Sequence, residues 1–155
     1  MSGGIFAGRT ALVTGGGRGI GRAICRMLAG NGARVAINFQ HNAEAAQETL
    51  TLVEECGAEG LLVQADVALE TDVGRMVGEI RAKFAPVELL VNNAGIATAA
   101  EHGEFGFAEW ERMFAVNVDG PFLTTWAVKD EMIAAGFGRI VNISSLAAIL
   151  LKRNM

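Results

Sequence analysis

The stretch Ala11-Leu12-Val13-Thr14-Gly15-Gly16-Gly17-Arg18-Gly19-Ile20-Gly21 decides the fold. Its first three residues read as a short buried strand. A glycine-rich turn follows at once. Beyond it Ile20, Ala23, Ile24, Met27 and Leu28 share one helical face, and Gly32 stands where a helix would stop. Strand, glycine turn and helix in this order make a place where an α/β sheet binds phosphate. Glycines let the backbone bend sharply and let a pyrophosphate come close. The helix N-terminus offers free N–H groups and a partial positive charge. A glycine turn without a ligand is the plainer alternative, and the strand–turn–helix setting disfavours it. The glycine spacing is Gly15, Gly19, Gly21, not the common G-x-G-x-x-G order.

Working outward, short apolar runs alternate with helix-period segments. Val35 to Phe39 is a second strand. Ala46, Leu50 and Val53 mark a helix ending near Gly57. Leu61 to Val63 is a third strand. Val73, Met76, Val77, Ile80 and Phe84 mark a third helix, with Glu70 and Asp72 at its positive dipole end. Val87 to Val91 is a fourth strand. A long helical region spans about Ala108 to Ala135, with Gly120-Pro121 as its candidate break. Gly138 to Ile143 supplies a fifth strand. The strands are apolar nearly throughout, as expected of a parallel sheet covered on both faces. Each connection is long enough for a right-handed crossover. The expected architecture is a doubly wound α/β sheet in one domain over residues 1–155.

Composition narrows the function classes. The chain has 155 residues, 51% hydrophobic and 19% charged, with 20 glycines and 2 prolines, the balance of a packed soluble domain. A net charge of -4 argues against a general nucleic-acid partner. Cys25, Cys56, His41 and His102 have neither zinc spacing nor a disulfide framework, so no metal and a reducing compartment are expected. Met1 to Arg9 has no targeting pattern. The uncharged run Ile140 to Leu151 is short of the roughly 20 residues a membrane span needs. A cytoplasmic protein without a membrane partner is expected.

Five motifs then stand in a telling order: Thr14-Gly15-x-x-x-Gly19-Ile20-Gly21, Asp66-Val67 after the third strand, Asn92-Asn93-Ala94-Gly95 after the fourth, Asn117 in Val116-Asn117-Val118, and Asn142-Ile143-Ser144-Ser145 after the fifth. The set resembles the short-chain dehydrogenase/reductase family over nearly the whole chain, with a texture similar to 3-oxoacyl-carrier-protein reductases. The resemblance implies a Rossmann-like fold and a nicotinamide dinucleotide cofactor. Thr14, Gly15, Gly17, Arg18, Gly19, Ile20 and Gly21 would hold its pyrophosphate. Asp66 would accept from the adenine amino group and Val67 would pack beside the ring. Asn92 would brace the central strands, while Asn93, Ala94 and Gly95 line the ribose pocket. Asn117 would hold a water of the proton relay, and Ser145, rather than Ser144, would bond the carbonyl or hydroxyl of a small-molecule substrate. Each has a bland counterpart: a capping aspartate at Asp66, a structural asparagine at Asn117, a turn serine at Ser145.

Cofactor choice has a physical side. An acid at the end of the second strand would bind a ribose hydroxyl and repel the extra phosphate of NADP. Here that region is Ile37-Asn38-Phe39-Gln40-His41, without an acid, and Asn38 counts as a cofactor residue. Arg18 could pair with a phosphate, or be a solvated charge. NADP(H) is expected to be preferred, with NAD(H) second.

One departure is plain. The family's acid–base tyrosine, expected near position 158 with a lysine four residues on, is absent, since the chain holds no tyrosine and Lys152 comes too early. The chain therefore reads as the front portion of a longer enzyme, with the C-terminal part of the family fold missing. The fifth strand is then an unprotected edge that invites association. The full-length form is expected to be a dimer or tetramer packed through the long helix. Two readings stay open: an NADP(H)-dependent oxidoreductase of which this is the cofactor half, or a non-catalytic nucleotide-binding or interaction protein. A methyltransferase is disfavoured, because nothing acidic precedes Gly15.

Overall fold

A computed structural model describes residues 4–97 and 105–145. Leu146 to Met155, which include Lys152, and His102 lie outside them. The chain runs β1 (Thr10–Val13), α1 (Gly19–Gly30), β2 (Arg34–Phe39), α2 (Ala43–Glu55), β3 (Gly60–Gln64), α3 (Glu70–Lys83), β4 (Leu89–Asn92), α4 (Phe107–Phe114), a wide π-helical turn (Ala115–Asp119), α5 (Gly120–Ala134) and β5 (Arg139–Asn142). The five strands form one parallel sheet in the order β3-β2-β1-β4-β5. This is the expected doubly wound arrangement. The chain reverses its direction of travel across the sheet between β1 and β4, which opens a crevice at the strands' C-terminal ends.

Alternate residues of one strand enter two cores, which explains the uninterrupted apolar runs. Leu12, Ala36 and Leu90 pack with Val73, Met76 and Ile80 of α3 and Val128 and Met132 of α5. Ala11, Val13, Val35 and Ile37 pack on the opposite face with Cys25 and Leu28 of α1 and Val53 of α2. Helix ends follow local chemistry. Asn42 caps α2 by accepting from the Ala45 N–H at 2.8 Å. Glu70 and Asp72 open α3, while Arg81 and Lys83 close it.

Two expectations shift. The fourth strand pairs over Leu89–Asn92 rather than Val87–Val91, because Val87 is buried ahead of the ladder. Gly120-Pro121 does not break the long helix. Pro121 sits in the first turn of α5, where its missing N–H is tolerated, and the irregularity is the π turn one turn earlier. β5 is exposed along its length, an open edge among the described residues. Stacked aromatics also face outward: Phe107, Trp110 and Phe114 along α4, then Phe122 and Trp126 on α5. No helix among the described residues is long and apolar enough to cross a membrane.

Candidate nucleotide-binding site

A cavity of about 600 Å³ opens where the strands end. Gly15, Gly17, Arg18, Gly19 and Ile20 form one wall, and Asn38 to Asn42, at and beyond the end of β2, a second. Asp66 and Val67 past β3, Asn93 to Ile96 past β4, and Val116 complete it. Of the residues singled out in the sequence, Thr14, Gly21, Asn117 and Ser145 are not in this lining.

Thr14 and Gly21 act from behind. The buried Thr14 hydroxyl accepts from the N–H groups of Asn93 at 2.9 Å and Ala94 at 3.0 Å. The Asn93 side chain returns the contact, donating to the carbonyls of Thr14 at 3.0 Å and Gly15 at 3.1 Å. The first and fourth loops are thus stitched into one surface. Gly19 takes a φ of 53°, a left-handed conformation that suits glycine and turns the chain into α1. Gly21 lies so close to Gly15 and Asn93 that a Cβ would not fit. The first-turn amides of α1 have no intrahelical acceptors and open on the cavity beside Arg18. That corner is not blocked by side chains, and a diphosphate fits its donor set.

Asn38, counted among the cofactor residues, lines the cavity and also braces it. Its buried amide accepts from the Gly15 N–H at 3.2 Å and donates to the carbonyls of Val63 at 3.3 Å and Ala65 at 3.1 Å. It holds the glycine loop to β3. Gln40, His41 and Asn42, one step further, line the cavity and were assigned no contact from sequence. The switch from an apolar strand to polar residues at a C-terminal strand end was the available signal. Arg22 and Thr49 were also missed. Both donate to the Gly17 carbonyl, from Arg22 Nη2 at 2.8 Å and Thr49 Oγ1 at 3.0 Å, fixing the outer rim of the loop.

Asp66 is nearly enclosed by donors. Oδ2 accepts from Gln40 Nε2 at 2.6 Å and Arg112 Nη2 at 3.0 Å, and Oδ1 from the Ala68 N–H at 3.0 Å. The Asp66 N–H donates to Asp72 Oδ2 at 2.8 Å. That bond, and then the Arg75 guanidinium, hold the Asp72 carboxyl below its ordinary range. Asn117, in the π turn, pairs with Ile96 in both directions: its Oδ1 accepts from the Ile96 N–H at 2.9 Å and its Nδ2 donates to the Ile96 carbonyl at 2.8 Å. These bonds retain an asparagine within a helical run, where its intrinsic propensity is low. Asn92 joins β4 to β5 and α5, donating to Asn142 Oδ1 at 2.9 Å and accepting from Thr124 Oγ1 at 2.7 Å. Ser145 follows β5, three residues after Asn142, which pairs with Asn92.

A parallel sheet with this cavity at its switch point defines an α/β nucleotide-binding domain. The short chain dehydrogenase family pattern matches residues 9–153. The chain belongs to that family. It is 39% identical over 144 residues to an uncharacterized oxidoreductase of Thermotoga maritima, covering 93% of this chain and 56% of that protein. It is 35% identical over 142 residues to a 3-oxoacyl-[acyl-carrier-protein] reductase of Synechocystis, covering 92% and 58%. A crystal structure of NAD+-bound xylitol dehydrogenase superposes with a TM-score of 0.89 at 34% identity, covering 97% of this chain and 58% of that one. The chain therefore spans somewhat more than half the length of these relatives.

Proposed function

We propose that this chain carries the cofactor-binding part of an oxidoreductase that moves a hydride between NADP(H) and a carbonyl or alcohol carbon. The observation that carries the reading is the cavity's charge pattern. Among the described residues, its only charged or titratable lining residues are Arg18, His41 and Asp66, and the wall at the end of β2 holds no carboxylate. A ribose 2′-phosphate beside Gln40, His41 and Arg18 would meet donors, and the nearby Asp66 carboxylate is already engaged by Gln40 and Arg112. Bound there, the nicotinamide would supply the hydride chemistry. The residues of the chain bind and orient: α1 amides at the diphosphate, Arg18 at the 2′-phosphate, Asp66 and Val67 at the adenine, Asn93, Ala94 and Gly95 at the ribose. Asn117 tethers the Ile96 backbone beside the cavity and is assigned to the proton relay through an ordered water. Ser145 is assigned to the substrate oxygen.

The test is a paired titration of NADPH and NADH, followed by nucleotide fluorescence or calorimetry. NADPH should bind more tightly, and Arg18→Ala should weaken NADPH selectively. A charge-assisted pair is worth about 1.5–3 kcal/mol, so the loss should be about tenfold or more. Equal or tighter NADH binding defeats the NADP assignment; the xylitol dehydrogenase relative, which binds NAD+, makes that comparison pointed. With no tyrosine in the sequence, the 155-residue chain alone should bind nucleotide without carbonyl reduction. Binding without turnover in the natural protein would favour the second reading, a non-catalytic nucleotide-binding protein. The exposed aromatics of α4 and α5 and the open β5 edge support a homo-oligomer, dimer or tetramer, of the complete protein, and a cytoplasmic setting is proposed with it.

A further inference from the structure

We infer that Arg112 is a positioning residue for base selection: it locks the Asp66 carboxylate so that the cavity accepts a 6-aminopurine and rejects a 6-oxopurine. The inference rests on the proposed role of Asp66 at the adenine. Arg112 lies on α4, 46 positions from Asp66, and is the only α4 residue that bonds a side chain of the cavity lining among the described residues. An ionised carboxylate offers about four acceptor positions. Gln40 and Arg112 take both on Oδ2, and the Ala68 N–H takes one on Oδ1. One acceptor on Oδ1 is left, and an amino group can donate to it. A 6-oxo group brings only lone pairs and meets repulsion.

Carboxylate torsions are broad and roughly two-fold. The Ala68 N–H holds Oδ1, and Gln40 and the Arg112 guanidinium together hold Oδ2. Arg112 is half exposed, and a surface ion pair adds little to stability. Its consequence is therefore orientation rather than folding.

The test compares NADPH with its hypoxanthine analogue, which carries an oxo group in place of the amino group, by titrating the wild type, Arg112→Met and Arg112→Lys. Wild type should prefer NADPH by about tenfold or more, the scale of a charge-assisted hydrogen bond. Arg112→Met should reduce that preference to roughly threefold or less, with the analogue's affinity nearly unchanged. Arg112→Lys, which keeps a donor, should restore part of it. A merely structural role would weaken both nucleotides by the same factor. That result, or an intact preference in Arg112→Met, overturns the inference. A wild type that binds both nucleotides equally removes the Asp66 assignment and this inference with it, and a wild type that binds neither removes the nucleotide reading itself.

Discussion

Replacing Gly21 by alanine tests the glycine loop most directly. A Cβ at Gly21 would stand 2.7 Å from Asn93 Nδ2 and closer still to the Gly15 carbonyl oxygen, where real Cβ atoms keep at least 3.0 Å. The obstruction is backbone on one side and a side chain held by two hydrogen bonds on the other. Neither yields as a flexible side-chain tip would. Overpacking of this kind costs typically about 1–3 kcal/mol, and loss of one of the Asn93 bonds adds about 1 kcal/mol. Alanine's better helix propensity returns about 1 kcal/mol. The net expectation is a loss of roughly 1–3 kcal/mol in urea denaturation without nucleotide. The same move of the loop should weaken NADPH binding. Gly78 supplies the control. It lies inside α3 with nothing within 4 Å of an added Cβ, so Gly78→Ala should raise stability by about 0.5–1 kcal/mol. Two identical chemical changes should therefore act in opposite directions. A Gly21→Ala protein as stable as the wild type would refute the close-approach argument.

Asn38→Asp should cost about 2 kcal/mol or more at pH 7, because the new carboxylate oxygen would face the carbonyls of Val63 and Ala65, which cannot turn into donors. Burial raises that carboxyl's pKa, so its penalty should shrink as pH falls toward 5 in urea melts; a pH-independent penalty would count against this account. Burial also pushes the Cys25 thiol up to about 12, whereas Cys56 is exposed. A native-state thiol titration at pH 8 should therefore modify Cys56 and spare Cys25, and rapid modification of both would contradict the packing beneath the loop. The Asp72 carboxyl is held below 3.8 in the fold, so its stabilising effect is present above that value and lost only as pH falls beneath it. Asp72→Asn should lower the urea midpoint equally at pH 7 and pH 5 and converge with wild type only in stronger acid; convergence by pH 5 would refute the assignment.

Local features were the legible ones. The glycine turn, the helical stripe of α1 and the apolar strands are written within a few residues each, and periodicity alone placed them. Crossover length and the apolar strands pointed to a parallel, doubly wound sheet, but the order β3-β2-β1-β4-β5 emerges only in the structure. What escaped depends on contacts distant in sequence. Nothing around Arg112 announces a partner 46 residues away, and nothing around Asn38 shows that its amide faces two loops at once. The helix irregularity was misplaced for a related reason. Gly120-Pro121 is the strong local signal, but the π turn at Ala115–Asp119 already shifts the hydrogen-bond ladder, so the proline begins α5 instead of interrupting it.

The cavity is held together largely by neutral amides, and that has an electrostatic reason. Asn38 ties the glycine loop to β3, Asn93 ties it to β4, Asn117 fixes Ile96, and Asn92 with Asn142 locks β4 to β5. An amide can donate and accept at one site, which lets a short side chain join two backbone segments without adding charge. Aspartate has nearly the same shape but would place a negative charge beneath a ligand that carries several of its own. Inside a low-dielectric crevice such repulsion is screened far less than on the surface. The one acid in the wall among the described residues, Asp66, stands past β3 and is met by three donors. Under the proposed nucleotide pose, amide bracing beneath the phosphates and a compensated carboxylate at the base end form a single electrostatic design, in which anion affinity and base selection can be varied separately.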